Sequence, residues 1–470
     1  MTYLYLDLEQ ELQQQIRHGA LPAGTKLPSI RQQCQLRELS KATVLHAYQR
    51  LEAAGLITAR FRSGFYVCAQ PTGRPLPTQP DVTSSPQPVD MSDLMRDIMQ
   101  HSAAFDICPQ AGSYHELPVG ITELNRAVAR SLRRQKGSEH QYYDEPSGSK
   151  QLRQQISERY NRLGCRLSAA DITMTAGCQH ALSLALQLCC QPGDTVAVES
   201  PGFYGVLQLI ETMGLKVLEI PSSPEHGIDV DALGAALEQW SISACVVTPA
   251  FATPTGALLS DDSRRKLLRL ASDYDFMLVE DDIYGDLTFD IRHPPLKQLD
   301  QEGRVILCGS YSKSLSRELR LGWIVANQSP QLMRLKMVNL LALSKFTQQG
   351  LFSFIQEGGY DKHLRKQRLL LQQQRDQLID ALDQHWRPLG DLRVSQPSGG
   401  LSLWVELDPE IDLFSCYRLA REQGVIITPG NLFTAQDRYR NCLRLSFAHL
   451  WNRERHSALS KLAELIYSTI

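Results

Sequence analysis

The stretch that decides the fold of most of this chain is Ser310-Tyr311-Ser312-Lys313-Ser314-Leu315, followed by Arg320-Leu321-Gly322-Trp323. It comes directly after Val305–Cys308, a short apolar run that predicts a buried strand. A lysine at a strand end suits covalent chemistry with an aldehyde, because limited solvation and a neighbouring cation keep its amine partly neutral. The hydroxyls and the arginine beside it suit a phosphate-binding cup. A surface loop rich in serine, lysine and arginine would look the same, so other segments must support the interpretation.

Short apolar runs alternate with amphipathic helical patterns on both sides of this stretch. Helical periodicity is clear at Val230–Trp240 and at Asp261–Ser272. Such alternation predicts an α/β domain with a mostly parallel sheet that is buried on both faces. The other predicted strands are Thr195–Glu199, Lys216–Ile220, Ala244–Thr248, Phe276–Glu280 and Trp323–Ala326.

Two further segments place reactive groups at predicted strand ends. Glu280-Asp281-Asp282-Ile283-Tyr284 offers a carboxylate that can keep a pyridine nitrogen protonated and a tyrosine that can bond a ring hydroxyl. A capping cluster of carboxylates is the alternative interpretation. The predicted strand Ile172–Thr175 continues through Ala176-Gly177-Cys178-Gln179-His180 into a helix. Backbone N–H groups at such a junction point at an anion, although an ordinary tight turn has the same pattern.

An aromatic turn, a second loop and one arginine add to this set. Glu199-Ser200-Pro201-Gly202-Phe203-Tyr204-Gly205 could place an aromatic ring over a planar ligand, or in the core. The loop from Thr248 to Gly256 follows another predicted strand. In Leu443-Arg444-Leu445-Ser446-Phe447, an arginine lies in an apolar strand and needs an anion. That anion is either a substrate carboxylate or an internal salt-bridge partner.

The first 68 residues predict a separate basic module. They hold eight basic and five acidic residues, whereas the 470-residue chain as a whole has a formal net charge of −2. A first helix carries Tyr5, Leu8, Leu12 and Ile16 on one face, a second helix begins at the N-cap Ser29, and a third begins after Ser40. The third helix buries Val44, Ala47, Tyr48 and Leu51, and a basic hairpin follows it. This order predicts a winged helix-turn-helix that reads DNA, with a helical interaction domain as the alternative.

The segment that follows the basic module differs in composition from both of its neighbours. Residues 69–90 carry six prolines and few apolar side chains, which predicts an interdomain linker. The 11 cysteines show no metal-binding spacing, and the N-terminus does not resemble a signal peptide. No apolar run is long enough to span a bilayer. We therefore expect a cytoplasmic protein with reduced thiols, no metal site and no membrane contact.

The basic module also resembles the GntR-type winged helix. The resemblance rests on GALPAGTKLPSIRQ at 19–32, LSKATVLHAYQRLEAAGLI at 39–57 and RSGFYV at 62–67. It departs from that family at Gln33-Cys34, where a small apolar pair is usual. The residues that the resemblance implies in DNA contacts are Arg31, Ser40, Lys41, Thr43, Arg60, Arg62 and Gly64.

Residues 91–470 resemble the fold-type I aminotransferases, which bind pyridoxal 5′-phosphate. The resemblance implies that Lys313 forms the internal aldimine, Asp281 pairs with the pyridine nitrogen, and Tyr284 contacts the ring oxygen. Tyr204 would stack on the ring, and Arg444 would bind an α-carboxylate. The implied phosphate cup consists of Gly177, Cys178, Gln179, Ser310, Ser312 and Arg320, together with Tyr143 of the neighbouring subunit in a head-to-tail homodimer.

One departure from the aminotransferase pattern bears on activity. Thr253 stands where these enzymes usually carry the asparagine of an Asn-Pro-Thr-Gly motif, so it is the implied cofactor contact at that place. A single hydroxyl cannot replace both the donor and the acceptor of an amide. We therefore expect cofactor binding to persist, while transamination is either weak, partial or absent.

Together the parts resemble the MocR subfamily of bacterial transcriptional regulators. The expected domains are a winged helix at 1–68, a proline-rich linker at 69–90 and an aminotransferase-like body at 91–470. Within the body we expect a large subdomain at about 120–345 and a small C-terminal α/β subdomain at about 360–470. The resemblance implies that double-stranded DNA binding is controlled by pyridoxal phosphate and by an amino acid or amine that forms an external aldimine. A working aminotransferase that also binds DNA, and a direct sensor of pyridoxal phosphate, are the alternatives.

Overall fold

The computed structural model describes residues 4–17, 21, 24–53, 56–60, 64–67, 74–80, 85–89, 107, 120–137, 142–326 and 330–468. The chain forms two compact units, Met1–Pro75 and Leu76–Ile470. Arg62 lies outside the described residues, and so does the side chain of Arg60, so their predicted contacts have no structural counterpart here.

The smaller unit has the predicted order of three helices and a hairpin. The three helices are α1 (Leu4–Arg17), α2 (Ile30–Arg37) and α3 (Lys41–Ala53), and the antiparallel hairpin pairs β1 (Ile57–Arg60) with β2 (Gly64–Val67). The predicted core faces are confirmed: Leu8, Leu12, Ile16, Val44, Ala47, Tyr48 and Leu51 are all buried in one cluster. Ser29 caps α2 through a capping box with Gln32. Gln33, the departure noted above, is buried.

The larger unit is built on a twisted sheet whose central strands run parallel. The strands of this sheet are β3 (Gln87–Pro88), β4 (Ile172–Thr175), β5 (Thr195–Ser200), β6 (Lys216–Ser223), β7 (Gly227–Ile228), β8 (Ala244–Val247), β9 (Met277–Asp281), β10 (Val305–Ser310) and β11 (Gly322–Val325). Their order is β3-β6-β5-β8-β9-β10-β11-β4, with β7 on β6. β11 is antiparallel to both of its neighbours, whereas β6, β5, β8, β9 and β10 are parallel. The predicted α/β class and all seven predicted strands of this sheet, including Ile172–Thr175, are confirmed.

Helices cover both faces of this sheet, as its apolar strands require. They are α4 (Ile121–Arg134), α5 (Lys150–Asn161), α6 (Cys178–Cys189), α7 (Tyr204–Thr212), α8 (Val230–Leu237), α9 (Asp261–Asp273), α10 (Pro330–Asn339) and α11 (Lys345–Gln356). The long helix α12 (Gly359–Trp386) then leads to a second, antiparallel sheet.

This second sheet has the order β12-β13-β15-β14 and its own core. Its strands are β12 (Arg393–Val394), β13 (Ser402–Glu406), β14 (Thr428–Pro429) and β15 (Cys442–Ser446). The helices α13 (Leu413–Glu422) and α14 (Arg453–Ser468) pack beside it, and α14 also packs on α12. We call this part, residues 359–468, the small subdomain, in line with the predicted C-terminal one.

Several residues of the predicted linker pack on the larger unit. Gln87 and Pro88 form β3 and pair with the edge of β6, and Val89 is buried in the cluster beneath α6. Thr78 donates to Glu406 from its backbone N at 2.6 Å, and its hydroxyl, which has one hydrogen to donate, lies 2.8 and 3.0 Å from the two carboxylate oxygens. Gln79 Nε2 donates to Asp229 at 2.9 Å. Of these two adjacent linker residues, Thr78 therefore contacts the small subdomain, and Gln79 contacts the residue that precedes α8 beside the large sheet.

None of the described helices combines the length and the apolar composition that a membrane span would need.

Candidate functional site

The strand ends of the large sheet converge on one cavity. Asp281 ends β9, Ser310 ends β10 just before Lys313, and Cys178 begins α6 after β4. Ligands in open α/β sheets bind at this carboxyl edge. The cavity measures about 230 Å³, and the predicted site residues that line it are Cys178, Gln179, Thr253, Asp281, Tyr284, Ser312, Lys313 and Arg320.

Lys313 lies in the loop after β10 and is partly buried. Burial disfavours its ammonium form, and the positive charges of Arg317 and Arg444 act in the same direction, so the pKa of Lys313 is lowered to about 7. A large share of this lysine is therefore a neutral amine at neutral pH. A neutral amine is the form that attacks an aldehyde carbon.

The residue after Lys313 is fixed by the helix that leads to the small subdomain. Ser314 Oγ lies 2.7 Å from the hydroxyl of Tyr360, and its carbonyl oxygen lies 2.8 Å from Nε2 of His363. Both partners belong to α12, and both are buried. The loop that carries the lysine is thus held by the helix at the start of the small subdomain.

Asp281 is a buried carboxylate with two donors on one oxygen. Cys178 Sγ lies 3.0 Å from its Oδ1, and the backbone N of Ile283 donates to the same atom at 3.2 Å. Burial raises the pKa of Asp281 to about 6, although these two hydrogen bonds and the charge of Lys313 favour the ionised form. The group is mostly ionised at neutral pH and can face a protonated ring nitrogen.

Thr253 and Tyr284 form a direct pair in the cavity wall. Thr253 Oγ1 donates to the hydroxyl oxygen of Tyr284 at 2.9 Å. Burial raises the pKa of Tyr284 to about 12, so its hydroxyl keeps its proton. The tyrosine can therefore still donate to an oxygen of a bound ring while it accepts from the threonine.

The turn between β4 and α6 forms a cradle for an anion. Gly177 has a φ of +91°, and a Cβ at this position would come within 2.8 Å of a guanidinium nitrogen of Arg320. No side chain caps the first N–H groups of α6, so they remain for an anion. Arg320 itself donates to the carbonyl oxygen of Ala176 at 2.9 Å. The positive φ is the main reason why glycine suits position 177, because the Arg320 guanidinium is the far end of a flexible side chain and could shift aside.

Two serines complete the cradle. The backbone N of Ser312 donates to Ser310 Oγ at 3.0 Å, which closes the turn before the lysine. Ser312 Oγ is buried, and no group among the described residues hydrogen-bonds it. An orphaned hydroxyl beside a guanidinium and a helix N-terminus fits a phosphate group. Gln179 lines the cavity, and its Nε2 donates to the carbonyl oxygen of Gly205 at 2.7 Å, so its predicted phosphate contact stays a prediction.

Besides Tyr284, the cavity is lined by the aromatic ring of Phe203, which the sequence did not single out. Tyr204, the predicted stacking residue, is buried at the start of α7 and packs against Phe203 and Phe433 with ring centroids 5.0 and 5.8 Å away. Stacking by Tyr204 therefore stays a prediction, with Phe203 as a second candidate. Both residues follow the same turn, and alternation along the chain could not tell which ring faces inward.

Arg444 is buried in the middle strand pairing of the small subdomain. One of its guanidinium nitrogens donates to Thr428 Oγ1 at 3.3 Å, and the guanidinium carbon lies 5.4 Å from the centre of the Phe433 ring. Arg444 is not among the described residues that line the cavity, but its charge contributes to the lowered pKa of Lys313 and favours the ionised form of Tyr284. A cation in this position suits a ligand carboxylate.

Tyr143 is not part of the cavity within one chain. Its side chain is 82% exposed, and its neighbour Tyr142 is 77% exposed. The predicted role of Tyr143 requires a second subunit, so it stays a prediction.

A buried ionic network lies behind the site and was not predicted. Arg292 bonds Asp282 at 2.6 Å, and it also pairs with Asp286, which accepts from the hydroxyl of Tyr360 at 2.8 Å. Burial alone would raise the pKa of Asp286, but Arg292 and Arg159 outweigh it and lower that pKa to about 2. Asp282 directly follows Asp281 and the network reaches Ser314 through Tyr360, so it braces both sides of the cavity.

The smaller unit presents its predicted DNA-contacting residues at helix starts. Ser40 Oγ accepts from the backbone N of Thr43 at 3.1 Å and lies 2.8 Å from its hydroxyl, so Ser40 begins α3. Lys41 is exposed in the same turn, and Arg31 is exposed at the start of α2. Gly64 opens β2 with a φ of +112°. The first turn of the third helix thus carries polar and basic groups on the surface.

Comparisons with known proteins agree with both halves. Residues 4–67 match the bacterial regulatory protein gntR family, and residues 113–462 match aminotransferase class I and II. The chain belongs to both families, in the arrangement of the MocR regulators. The Escherichia coli K12 protein YjiR, an uncharacterized HTH-type transcriptional regulator, is 34% identical over 98% of each chain. YdcR of the same strain, described in the same words, is 32% identical over 98% of each chain.

A solved structure supports the fold of the larger unit of this MocR-type chain. It is kynurenine aminotransferase from Pyrococcus horikoshii, determined with PMP, and it is 29% identical with a TM-score of 0.72. The similarity covers 81% of this chain and 96% of that one. The part not covered is about the size of the smaller unit.

Within the described residues, no group of three or more histidine, cysteine, aspartate or glutamate side chains is arranged to hold a metal ion.

Proposed function

We propose that this protein is a cytoplasmic transcriptional regulator that binds pyridoxal 5′-phosphate and operator DNA, and that an amino acid or amine controls its DNA binding. The observation that carries the proposal is Lys313, whose pKa of about 7 makes it a ready nucleophile inside a cavity with Asp281. The same chain carries a gntR-family domain, and an enzyme that only reacts with amines through Lys313 would not need such a domain. The relatives YjiR and YdcR are described as HTH-type transcriptional regulators, which supports the regulatory half.

The residues around the cavity fit each part of the cofactor. The orphaned Ser312 hydroxyl, the N-terminus of α6 and Arg320 suit its phosphate group. Asp281 would hold the ring nitrogen in its protonated form, and Tyr284 would donate to the ring oxygen. When bound, the cofactor supplies an aldehyde that reacts with primary amines.

The effector site follows from the placement of two basic residues, one charged and one largely neutral. Arg444 would bind an α-carboxylate, and Lys313, largely neutral, would compete with the effector's own amine for the same carbon. An amino acid meets both requirements, whereas a simple amine meets only the second. We therefore expect this site to bind amino acids more tightly than amines of the same length.

The linker offers a route from this cavity to the DNA-binding unit. Thr78 bonds Glu406 of the small subdomain, while Gln79 bonds Asp229, which begins α8 beside the large sheet. A ligand that shifts the small subdomain relative to the large sheet would change the distance between Glu406 and Asp229. Thr78 and Gln79 could then no longer keep both contacts in the same backbone conformation. A ligand can shift the equilibrium between the two arrangements only by as much as its affinities for them differ.

A head-to-tail homodimer belongs to this proposal. The exposed Tyr142 and Tyr143, together with Leu132 at 49% and Val338 at 87% exposure, leave large apolar side chains on the surface of the single chain. A second copy that covers them would also bring Tyr143 to its neighbour's phosphate cup.

A working aminotransferase is the second candidate, because Lys313, Asp281 and Tyr284 are all in the cavity. Thr253 argues against it, since its only described side-chain bond goes to Tyr284 and it has no amide to orient a substrate carboxylate.

A paired titration tests the proposal. Purified protein loaded with pyridoxal phosphate is titrated with each amino acid, while visible absorbance and the affinity for its own upstream DNA are followed together. We expect one class of amino acid to change both, with no keto acid produced beyond one equivalent. Unchanged DNA affinity despite a spectral response would refute the regulatory half, and sustained keto acid production would establish the aminotransferase.

A further inference from the structure

Cys178 connects the two ends of the cavity. As the first residue of α6, it contributes its backbone N–H to the uncapped helix end that faces the anion cradle. Its side chain turns the other way, and Sγ lies 3.0 Å from Oδ1 of Asp281. The resemblance to aminotransferases assigned this residue to the phosphate cup only, so the thiol contact was not predicted.

The hydrogen bonds to Asp281 are unevenly shared between its two oxygens. Both described donors, the thiol of Cys178 and the backbone N of Ile283, are bonded to Oδ1. Within the described part of the chain, neither bond uses Oδ2, so that oxygen is left for a donor in the cavity. A carboxylate held on one side in this way has a fixed rotamer and a defined free oxygen.

The thiol is a proton donor in this contact. Cys178 is buried, and both burial and the adjacent Asp281 hold the pKa of Cys178 well above its usual range. Sulfur therefore keeps its hydrogen at any physiological pH, and a carboxylate is the acceptor within reach. An S–H donor is weaker than a hydroxyl, so it favours the ionised carboxylate only moderately.

We propose that Cys178 is a positioning residue for the cofactor ring, whose thiol orients Asp281 and sustains its charge toward the ring nitrogen. This inference rests on the proposed cofactor. It assigns to a single residue the alignment of the phosphate end, through its backbone, and of the ring-nitrogen end, through its side chain. Replacement of the thiol should therefore change the electronics of the ring without removing the anion cradle.

Other ionisable groups also face Asp281 and must be separated from the effect of Cys178. They are Glu199 on β5, Cys308 on β10, Lys313 after β10, and Asp282 and Tyr284 on the segment of Asp281 itself. The thiol of Cys178 is neutral, so its replacement removes no charge. A change in the titration that requires Asp281 is therefore attributable to the hydrogen bond between Cys178 and Asp281.

The first experiment is a pH titration of the visible absorbance of protein loaded with pyridoxal phosphate. The acid-side midpoint of this titration reports the protonation of Asp281. We expect Cys178→Ala to raise this midpoint by about half a pH unit to one unit, because the ionised form of Asp281 loses a hydrogen bond. Cys178→Ser, which restores a donor, should return the midpoint toward that of the wild type. In an Asp281→Asn background, Cys178→Ala should add nothing.

Cys190→Ala is the matched control, because Cys190 is a buried thiol at the opposite end of the same helix and lies outside the cavity. Its midpoint should equal that of the wild type. If Cys178→Ala shifts the midpoint no more than Cys190→Ala does, or shifts it equally in the Asp281→Asn background, the positioning role is wrong.

A second measurement needs neither the cofactor nor the alanine variant. The infrared difference spectrum between cofactor-free wild type and Cys178→Ser isolates the S–H stretch of Cys178. We expect the S–H band to be shifted strongly to a frequency below that of a free thiol. This shift should become smaller as Asp281 is protonated below a pH of about 6. A band at the free-thiol frequency would overturn the proposal. Failure of pyridoxal phosphate to bind would instead refute the proposed function and leave this band to decide the contact.

Discussion

The cavity at the strand ends and the first turn of α3 use charged groups in opposite ways. In the cavity, burial moves the pKa of Lys313 down to about 7 and that of Asp281 up to about 6. In the smaller unit, Lys41 and Arg31 are exposed, and the exposed Ser40 caps α3. The first arrangement gives each charged group its own buried partners, whereas the second leaves the basic side chains in contact with solvent.

This difference teaches where specificity resides in each half. Buried groups lose water, so each depends on one or two named partners, and loss of a partner is costly. Exposed cations interact with phosphates through screened charge, so their effects are modest, additive and dependent on salt. We therefore expect single substitutions to be severe in the larger unit and graded in the smaller one.

The largest expected effect is on stability, at the network behind the cavity. Arg292→Ala should lower the free energy of unfolding by about 3–5 kcal/mol, because Asp282 and Asp286 would remain buried without their shared cation. Denaturant unfolding measures this change. Arg265→Ala, at an exposed arginine of α9, should change it by less than about 0.5 kcal/mol. Equal effects of the two substitutions would contradict the contrast between buried and exposed charges.

Asp281→Asn should weaken the binding of pyridoxal phosphate by about 10- to 100-fold, the loss of one charge-assisted hydrogen bond. Fluorescence titration of the cofactor-free protein gives the dissociation constant. Asp262→Asn, at an exposed position in the first turn of α9, serves as the control. A wild-type constant in Asp281→Asn would show that this carboxylate does not face the ring.

The lowered pKa of Lys313 predicts the pH dependence of cofactor loading. The neutral amine reacts, and its fraction rises as pH passes upward through about 7, so the loading rate should increase about tenfold per pH unit below 7 and level off above it. Stopped-flow absorbance of cofactor-free protein measures this rate. A rate that keeps rising up to pH 10 would indicate an ordinary, solvated lysine.

Glu406→Ala tests whether the linker contact transmits the signal. It removes the acceptor for both donors of Thr78, the backbone N–H and the hydroxyl, so the change in DNA affinity on amino acid addition should shrink by about fivefold, in line with about 1 kcal/mol of coupling. Fluorescence anisotropy with labelled DNA measures it, while the absorbance response stays at the wild-type level. Glu410→Ala, an exposed neighbour in the same subdomain, should respond as the wild type does. The route through Thr78 is wrong if both variants retain full coupling.

The smallest effect belongs to the surface of α3. Lys41→Ala should reduce the slope of log affinity against log salt concentration by about 1 for every duplex, because one phosphate contact is lost. Lys150→Ala, at an exposed lysine that begins α5, should leave the slope unchanged. The same slope in both variants would remove Lys41 from the DNA surface.

The sequence predicted those features that follow from local pattern. Periodicity placed Leu8, Leu12 and Ile16 in one core, and apolar runs such as Val305–Cys308 marked the buried strands. Lys313 and Asp281 were singled out because each follows a predicted strand, and the resemblance to aminotransferases implied that they share one site; both line the cavity.

Features that depend on a partner distant in sequence were not predicted. Composition suggested that residues 69–90 cannot pack, yet Gln87 and Pro88 pair with the edge of β6, where only a short ladder is needed. Likewise, nothing local indicates that Arg292 would meet Asp282, or that the thiol of Cys178 would meet Asp281. Such contacts are set by packing of whole elements rather than by spacing along the chain.

The most direct test of the account is borohydride reduction of protein loaded with pyridoxal phosphate, followed by peptide mass mapping. The account predicts one adduct per chain, on Lys313, and none in the Lys313→Ala variant. Lys336 is an internal comparison, because burial lowers the pKa of Lys336 to about 8 and makes it another partly neutral lysine. An adduct on Lys336, or none at all, would contradict the central claim.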